Sequence, residues 1–408
     1  MRSNDRIIEL DGLRGIAVSM VLFWHFAGQT ALSNSAPIAQ HISSILIFGR
    51  TGVDLFFVLS GFLIIGILID QRQSRNLFHV FYVRRACRIL PPYLLLMALF
   101  WIAQSELPLG IRDTQTVPFW SFFLFLQNWF MSFANDWGPP AISVTWSVAI
   151  EEQFYLMFPI VLLFTPCERL RAVLLSIAGL SAVSRAILSL ADPTANFAPY
   201  VNTFFRLDAL CIGGFVATVC RDKELLHSLA ARRATILKCI VALSILIAPL
   251  IYGINTNIKL TMYVFGHLYL AVLFGGILLV TLLYKDHAGA SVLRSRTLLF
   301  FGTISYSAYL FHPIIIMGYF KYRDRPEQWS SWEDAGSLAL AFSTTILFCW
   351  LLRFVESKFI SFGHRFKYSG AGPTTLNLVT SPSMDETDRP ARVIGYRDNL
   401  GKGLDYNQ

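Results

Sequence analysis

The sequence predicts an all-α, polytopic transmembrane helical protein of about ten spans plus a re-entrant or interfacial segment. Three observations predict it. Hydrophobic residues make up 54% of the 408 and charged residues 15%, against roughly 25% charge in a soluble globular chain, and the mean hydropathy is +0.52. The apolar residues gather into runs that match a hydrocarbon core roughly 30 Å thick, which needs about 20 residues of helix. The lysines and arginines fall in short blocks between the runs.

The runs are centred near Met20, Leu59, Leu96, Tyr155, Leu180, Cys211, Leu246, Leu273, Leu310 and Phe348. The first, Gly15 to Phe26, follows a mixed-charge start and has no small-residue cleavage site after it, so it is expected to remain as a span. An eleventh run, Phe119 to Met131, is short and aromatic and contains Gln127 and Asn128. Loop charge decides its course. Arg72, Arg75, Arg84, Arg85 and Arg88 place the segment from Gln71 to Arg88 in the cytoplasm, and the N-terminus with Arg2 and Arg6 beside it. A full crossing at Phe119 would send outside the loop with Arg169 and Arg171 and the loop with Arg221, Lys223, Arg232, Arg233 and Lys238. A re-entrant or interfacial segment returns both to the cytoplasm, together with Lys285, Arg294 and Arg296. Only the loop with Lys321, Arg323 and Arg325 then falls outside. Both termini are therefore expected to be cytoplasmic. From Lys367 onward Gly, Pro, Ser, Thr and Asp replace the apolar runs, which predicts a membrane-embedded domain over 1–366 and a disordered cytoplasmic tail over 367–408. No sequence repeat suggests the inverted halves of a secondary transporter.

A net charge of +8 and a pI near 9.2 raise the question of nucleic acid. Blocks of positive charge flanking apolar runs are what membrane orientation alone requires, so no nucleic-acid partner is expected. Cys87, Cys167, Cys211, Cys220, Cys239 and Cys349 show no CxxC or metal spacing, and neither zinc nor disulfides are expected.

An ionisable residue inside a span is costly, so each is a candidate for function. In LDGLRGIAVSMVLFWHFAGQ, Arg14 and His25 lie eleven residues apart. That is about 16 Å and close to three full turns, which puts both on one helix face with His25 deep and Arg14 near the cytoplasmic surface. Either an imidazole is aligned with a cytoplasmic cation for chemistry, or Arg14 snorkels or pairs with Asp11 while His25 bonds a neighbouring helix. In FYVRRACRILPPY, Arg85 and Arg88 share a face three residues apart. They suit a bidentate grip on phosphate oxygens, and equally the ordinary basic flank of a span. In TWSVAIEEQFYLMFP, Glu151 and Glu152 are about 100° apart on the helix, so one at most is expected to face a given cavity. That carboxyl serves either proton transfer or a structural ion pair. Asp54, the pair Arg206 and Asp208, and Tyr306, Tyr309 and His312 in SYSAYLFHP are weaker signals. Arg206 and Asp208, two apart, need separate partners. His267 reads as a packed, hydrogen-bonded side chain, and Ser60 and Gly61 as helix packing.

Taken in order, LDGLRG, GVDLFFVLSGFLI, RRACRILPPY, WSVAIEEQFYLMFP, FRLDALCIGG and SYSAYLFHP resemble the acyltransferase-3 family of bacterial membrane acyltransferases, with the likeness running to about Phe366. The resemblance implies a multi-pass enzyme of the bacterial inner membrane. It would move an acyl group, usually acetyl, from cytoplasmic acyl-CoA to a hydroxyl of a glycan or glycolipid, with exopolysaccharide or lipopolysaccharide as acceptors and polysaccharide biosynthesis proteins as partners. The family pattern of Arg, ten residues and His falls on Arg14 and His25, its RxxR on Arg85 and Arg88, and its glutamate on Glu151. Val148 stands where the family commonly has Leu. No segment resembles the SGNH-type domain that some members append, so a relay to such a domain would need a second protein. The resemblance makes acyl-CoA, expected to be acetyl-CoA, the donor, bound by Arg85 and Arg88 with help from Arg14. His25, Glu151 and Arg14 become the catalytic residues, with His25 either removing the hydroxyl proton or carrying the acyl group itself and Glu151 orienting the imidazole or handling the proton. A transporter or exporter of glycan or lipid using an intramembrane His/Glu proton relay is the alternative of a different class.

Overall fold

The computed structural model describes residues 7–29, 42–43, 45–106, 116–192, 194–322 and 332–370. Arg2 and Arg6, the loop residues Arg323 and Arg325, and the expected tail beyond Gly370 lie outside the described residues. Every regular element among the described residues is a helix. In chain order the main ones are α1 (Ile8–Gly28), α2 (Ile47–Asp70), α3 (Leu77–Gln104), α4 (Phe119–Phe123), α5 (Gln127–Ala134), α6 (Pro140–Phe164), α7 (Cys167–Ala191), α8 (Leu207–Val219), α9 (Lys223–Ala231), α10 (Arg233–Thr261), α11 (Met262–Leu283), α12 (Arg296–Lys321) and α13 (Glu333–Gly363). Eight of these, α1, α2, α3, α6, α7, α11, α12 and α13, are long and apolar enough to cross a membrane. With the apolar but shorter α8 and with α10, they fall on the ten predicted runs. The first part of α10 lies antiparallel to α11, with the Arg233 guanidinium 5.3 Å from the centre of the Tyr284 ring and the Tyr269 hydroxyl donating to the Leu243 carbonyl.

The eleventh run forms no single crossing helix. It breaks between α4 and α5, where Phe125 has a φ of 54°, and α5 ends on a left-handed Asn135. In lipid such a break is tolerated only where protein supplies the missing hydrogen bonds. Gln153 of α6 donates to the Phe125 carbonyl at 2.6 Å and to Asn128 at 2.9 Å. The fully buried Gln127 donates to the Thr145 carbonyl at 2.9 Å, and Asn128 to the Val201 carbonyl at 3.1 Å. Gln127 and Asn128 thus hold an irregular segment inside the bundle, in keeping with the re-entrant or interfacial reading.

Direct backbone contact sets the centre of the bundle. A Cβ on Gly61 of α2 would overlap the Leu210 carbonyl of α8, and one on Gly213 of α8 would overlap the Val58 carbonyl of α2. Gly15 and Gly302 bring α1 and the start of α12 equally close, and Gly12 brings α1 against Leu293 just before that helix. Small residues permit this approach where lipid supplies no hydrophobic drive between helices. Buried charge locks the same helices. Arg206, just before α8, donates to Asp54 of α2 at 2.6 Å. His267 of α11 bonds Asp54 through Nδ1 at 3.2 Å and Arg206 through Nε2 at 3.2 Å. Arginine only donates, so His267 accepts at Nε2 and carries its hydrogen on Nδ1. Asp208 pairs instead with Arg185 of α7 at 2.8 Å, so Arg206 and Asp208 do have separate partners.

The loops that charge assigned to one side meet one another. Arg72 donates to the Thr165 carbonyl at 2.8 Å, Arg221 pairs with Asp70 at 2.6 Å and Arg171 with Asp222 at 2.8 Å. The chain beyond α13 folds onto the start of α3. Arg84 donates twice to the Phe366 carbonyl, and Asn76 bonds the Lys367 carbonyl at 3.0 Å and the Ser369 amide at 2.8 Å. Residues 367–370, assigned to the tail by composition, are therefore ordered through main-chain bonds that side-chain composition does not reveal.

Gly61→Leu forces α2 and α8 apart, and overpacking of this kind costs about 1–3 kcal/mol or more. Thermal unfolding of the purified protein in detergent should show a large loss, whereas Gly179→Leu, which faces open space, should unfold as wild type. Asp54→Leu strands Arg206 and should cost about 3–5 kcal/mol. Adding Arg206→Met should recover part of that loss in the same assay.

Candidate functional site

Five helices meet around one cavity of about 40 Å³, space for roughly three water molecules. Arg14 enters from α1, Ser60 from α2, Arg85 and Arg88 from α3, Glu151, Glu152 and Tyr155 from α6, and Tyr306 from α12. The three arginines converge because α3 presents residues three apart on one face while α1 runs past it with Arg14 toward α12. Glu151 accepts the Ser60 hydroxyl at 2.9 Å and the Tyr155 hydroxyl at 2.7 Å. Those two hydroxyls lie 2.6 Å apart. The guanidinium of Arg85 lies 5.9 Å from the centre of the Tyr155 ring. Glu152 leaves Oε1 buried without a partner. The positive field extends beyond the helices: His364, just past α13, is held below the usual imidazole range by partial burial and then by Arg84, Arg85 and Arg88.

His25 occupies a separate place on α1. The helix widens into a π-turn over Trp24–Gly28, a local irregularity frequent at functional sites. His25 Nδ1 donates to the Val21 carbonyl at 2.9 Å, and its ring faces His312 of α12 with centroids 4.6 Å apart. Arg50, at the entry to α2, lies over the rings of Trp24 and Tyr200 at 5.8 and 5.1 Å.

The structure therefore brings Arg14, Arg85, Arg88 and Glu151 together and leaves His25 apart from them. Arg14 shares its cavity with Tyr306 of α12 and His25 touches His312 of the same helix, so the two do lie on one face of α1. Glu151 does not meet His25; its Oε2 is taken by Ser60 and Tyr155. Both glutamates line the cavity, contrary to the expectation of one, because the cavity opens toward α2 and α3 together and admits side chains about 100° apart. Ser60, read from sequence as packing, contributes a hydroxyl to the site. Tyr155 escaped notice although it stands one helical turn after Glu151, the spacing at which side chains meet. Among the described residues no group of histidine, cysteine, aspartate or glutamate side chains is arranged to hold a metal ion.

An acyltransferase domain family model matches residues 7–354. The peptidoglycan O-acetyltransferase OatA of Listeria monocytogenes is 29% identical over 333 residues, which cover 77% of this chain and 50% of that protein. YrhL of Bacillus subtilis, assigned provisionally to the same activity, is 30% identical over 329 residues, covering 76% and 48%. A Staphylococcus aureus protein assigned provisionally as an O-acetyltransferase is 25% identical over 320 residues, covering 75% and 50%. This chain spans about half the length of these curated relatives. No solved structure matches it.

Proposed function

We propose that this chain, which belongs to the acyltransferase domain family, takes an acetyl group from acetyl-CoA and transfers it to a hydroxyl of a cell-surface glycan. The observation that carries the reading is the convergence of Arg14, Arg85 and Arg88, drawn from two helices, on one cavity at one end of α1, with His25 further along the same helix. Guanidinium groups are the side chains best suited to bidentate phosphate recognition. Eleven residues of helix, about 16 Å, separate them from an imidazole whose Nε2 lone pair is free for chemistry. A coenzyme with phosphates at one end and a thioester at the end of a long arm fits that division. The cavity is smaller than a nucleotide, so the arginines would meet a phosphoryl group at its mouth after displacing water. Glu151, bonded to Ser60 and Tyr155, would offset the charge of the three guanidiniums and keep them in place.

In this proposal the arginine end faces the cytoplasm of a bacterium, in its inner membrane, and His25 faces the acceptor. The names of the relatives favour a wall glycan as acceptor over exopolysaccharide or lipopolysaccharide. Membranes carrying the protein, given radiolabelled acetyl-CoA, should gain base-labile label in glycan, whereas a transporter would transfer none. Arg85→Ala and Arg88→Ala should each raise KM for acetyl-CoA roughly 10-fold or more, the equivalent of about 1.5–3 kcal/mol for hydrogen bonds to a charged group. An unchanged KM in both would remove the phosphate grip. His25→Ala should lower kcat by about 10²–10⁴ without loss of folded protein.

A further inference from the structure

His312 is buried with no exposed surface, and its Nε2 has no hydrogen-bond partner. Its Nδ1 donates to the Ala308 carbonyl at 3.0 Å, as His25 Nδ1 donates to Val21. A carbonyl only accepts, so both imidazoles carry hydrogen on Nδ1, and in the neutral ring of each the unprotonated nitrogen is Nε2. Two lone pairs cannot bond each other, although the rings are in contact. Tyr309, whose ring lies 6.0 Å from that of His312 between centroids, does not relieve this: it donates to the Val144 carbonyl at 3.0 Å and pairs with Ser147 at 2.6 Å. Phe26 and Phe342 pack edge to face beside the pair. An unsatisfied buried acceptor costs about 1–3 kcal/mol, and a mechanism with one imidazole leaves that cost without a purpose.

We infer that the two histidines divide the reaction, His25 Nε2 taking the acyl group and His312 Nε2 taking the proton of the acceptor hydroxyl; this rests on the acyl-CoA reading above. An imidazole acylated at Nε2, with its Nδ1 hydrogen bonded to a carbonyl, has no lone pair left for that proton. First, His25 Nε2 attacks the thioester carbonyl. The N–C bond forms, the C–S bond breaks, and the CoA thiolate leaves with the electron pair. The acylated ring is then cationic and keeps its hydrogen on Val21. Second, the hydroxyl oxygen attacks the acyl carbon while its proton passes to His312 Nε2, and the N–C bond breaks to restore neutral His25. The proton on His312 then returns through solvent to the thiolate, so the products are an ester and a free thiol. His25 is half-buried and reachable, whereas His312 would meet only a hydroxyl already held against His25.

The test measures two reactions in the same membranes: exchange of radiolabelled CoA into unlabelled acetyl-CoA, which needs no acceptor, and transfer of labelled acetyl to endogenous glycan. Wild type should do both and His25→Ala neither. His312→Gln and His312→Asn should keep exchange near the wild-type rate, which also certifies folding, while transfer falls by about 10²–10⁴. Wild-type transfer by either His312 variant would overturn the division, as would transfer by wild type without exchange. Loss of exchange in both variants at unchanged melting temperature would also overturn it, because His312 would then serve the first step. Failure of wild type to move label from acetyl-CoA in either assay would instead contradict the acyl-CoA reading on which the division rests.

Discussion

Arg206 and Asp54 meet at 2.6 Å in a part of the bundle that solvent does not reach, with His267 bonded to both. Ions withdrawn from water destabilise a fold unless each finds a partner of good geometry, and hydrocarbon supplies none. The pair therefore fixes the entry of α8 against α2 and, through His267, against α11, and Gly61 and Gly213 close α2 and α8 to backbone contact. The Arg206 guanidinium also lies over the Trp146 ring at the start of α6. Through α2 and α6 the pair sets where Ser60, Glu151 and Tyr155 come together. The interaction lies outside the cavity, yet the cavity depends on it.

α1 is the element that joins the two chemical regions. Its first half puts Arg14 into the cavity of arginines and glutamates, and its π-turn brings His25 to His312. The glycines at its N-terminal half press it against the start of α12, so Tyr306 and His312 accompany Arg14 and His25 in parallel. A donor held by its phosphates at one end and reacting at the other would use this separation as a ruler. The cavity and the histidine pair are both built from helices within the stretch that the acyltransferase domain family model matches.

Much of this was legible in the sequence because lipid imposes simple rules. Run length located the helices, and loop charge assigned the Phe119 run to a re-entrant or interfacial segment, in keeping with its break between α4 and α5. Spacing placed Arg14 with His25 on one face and Arg85 with Arg88 on another, and it separated the partners of Arg206 and Asp208. What stayed hidden depends on contacts between distant segments. Ser60 reads as a packing residue until Glu151 arrives from 91 positions away. His312 is one aromatic among several until the π-turn sets His25 against it. Residues 367–370 have the composition of a tail, and the bonds that hold Lys367 and Ser369 come from Asn76, nearly three hundred residues earlier.

In the proposed reaction one donor molecule spans the arginine cavity and His25. A structure determined with a non-hydrolysable acetyl-CoA analogue bound tests it most directly. Phosphate oxygens should be bonded to Arg85 and Arg88 with Arg14 beside them, and the acyl carbon should lie about 3–3.5 Å from His25 Nε2, the range of a near-attack geometry. An analogue bound away from these arginines, or one whose acyl carbon lies far from His25, would contradict it.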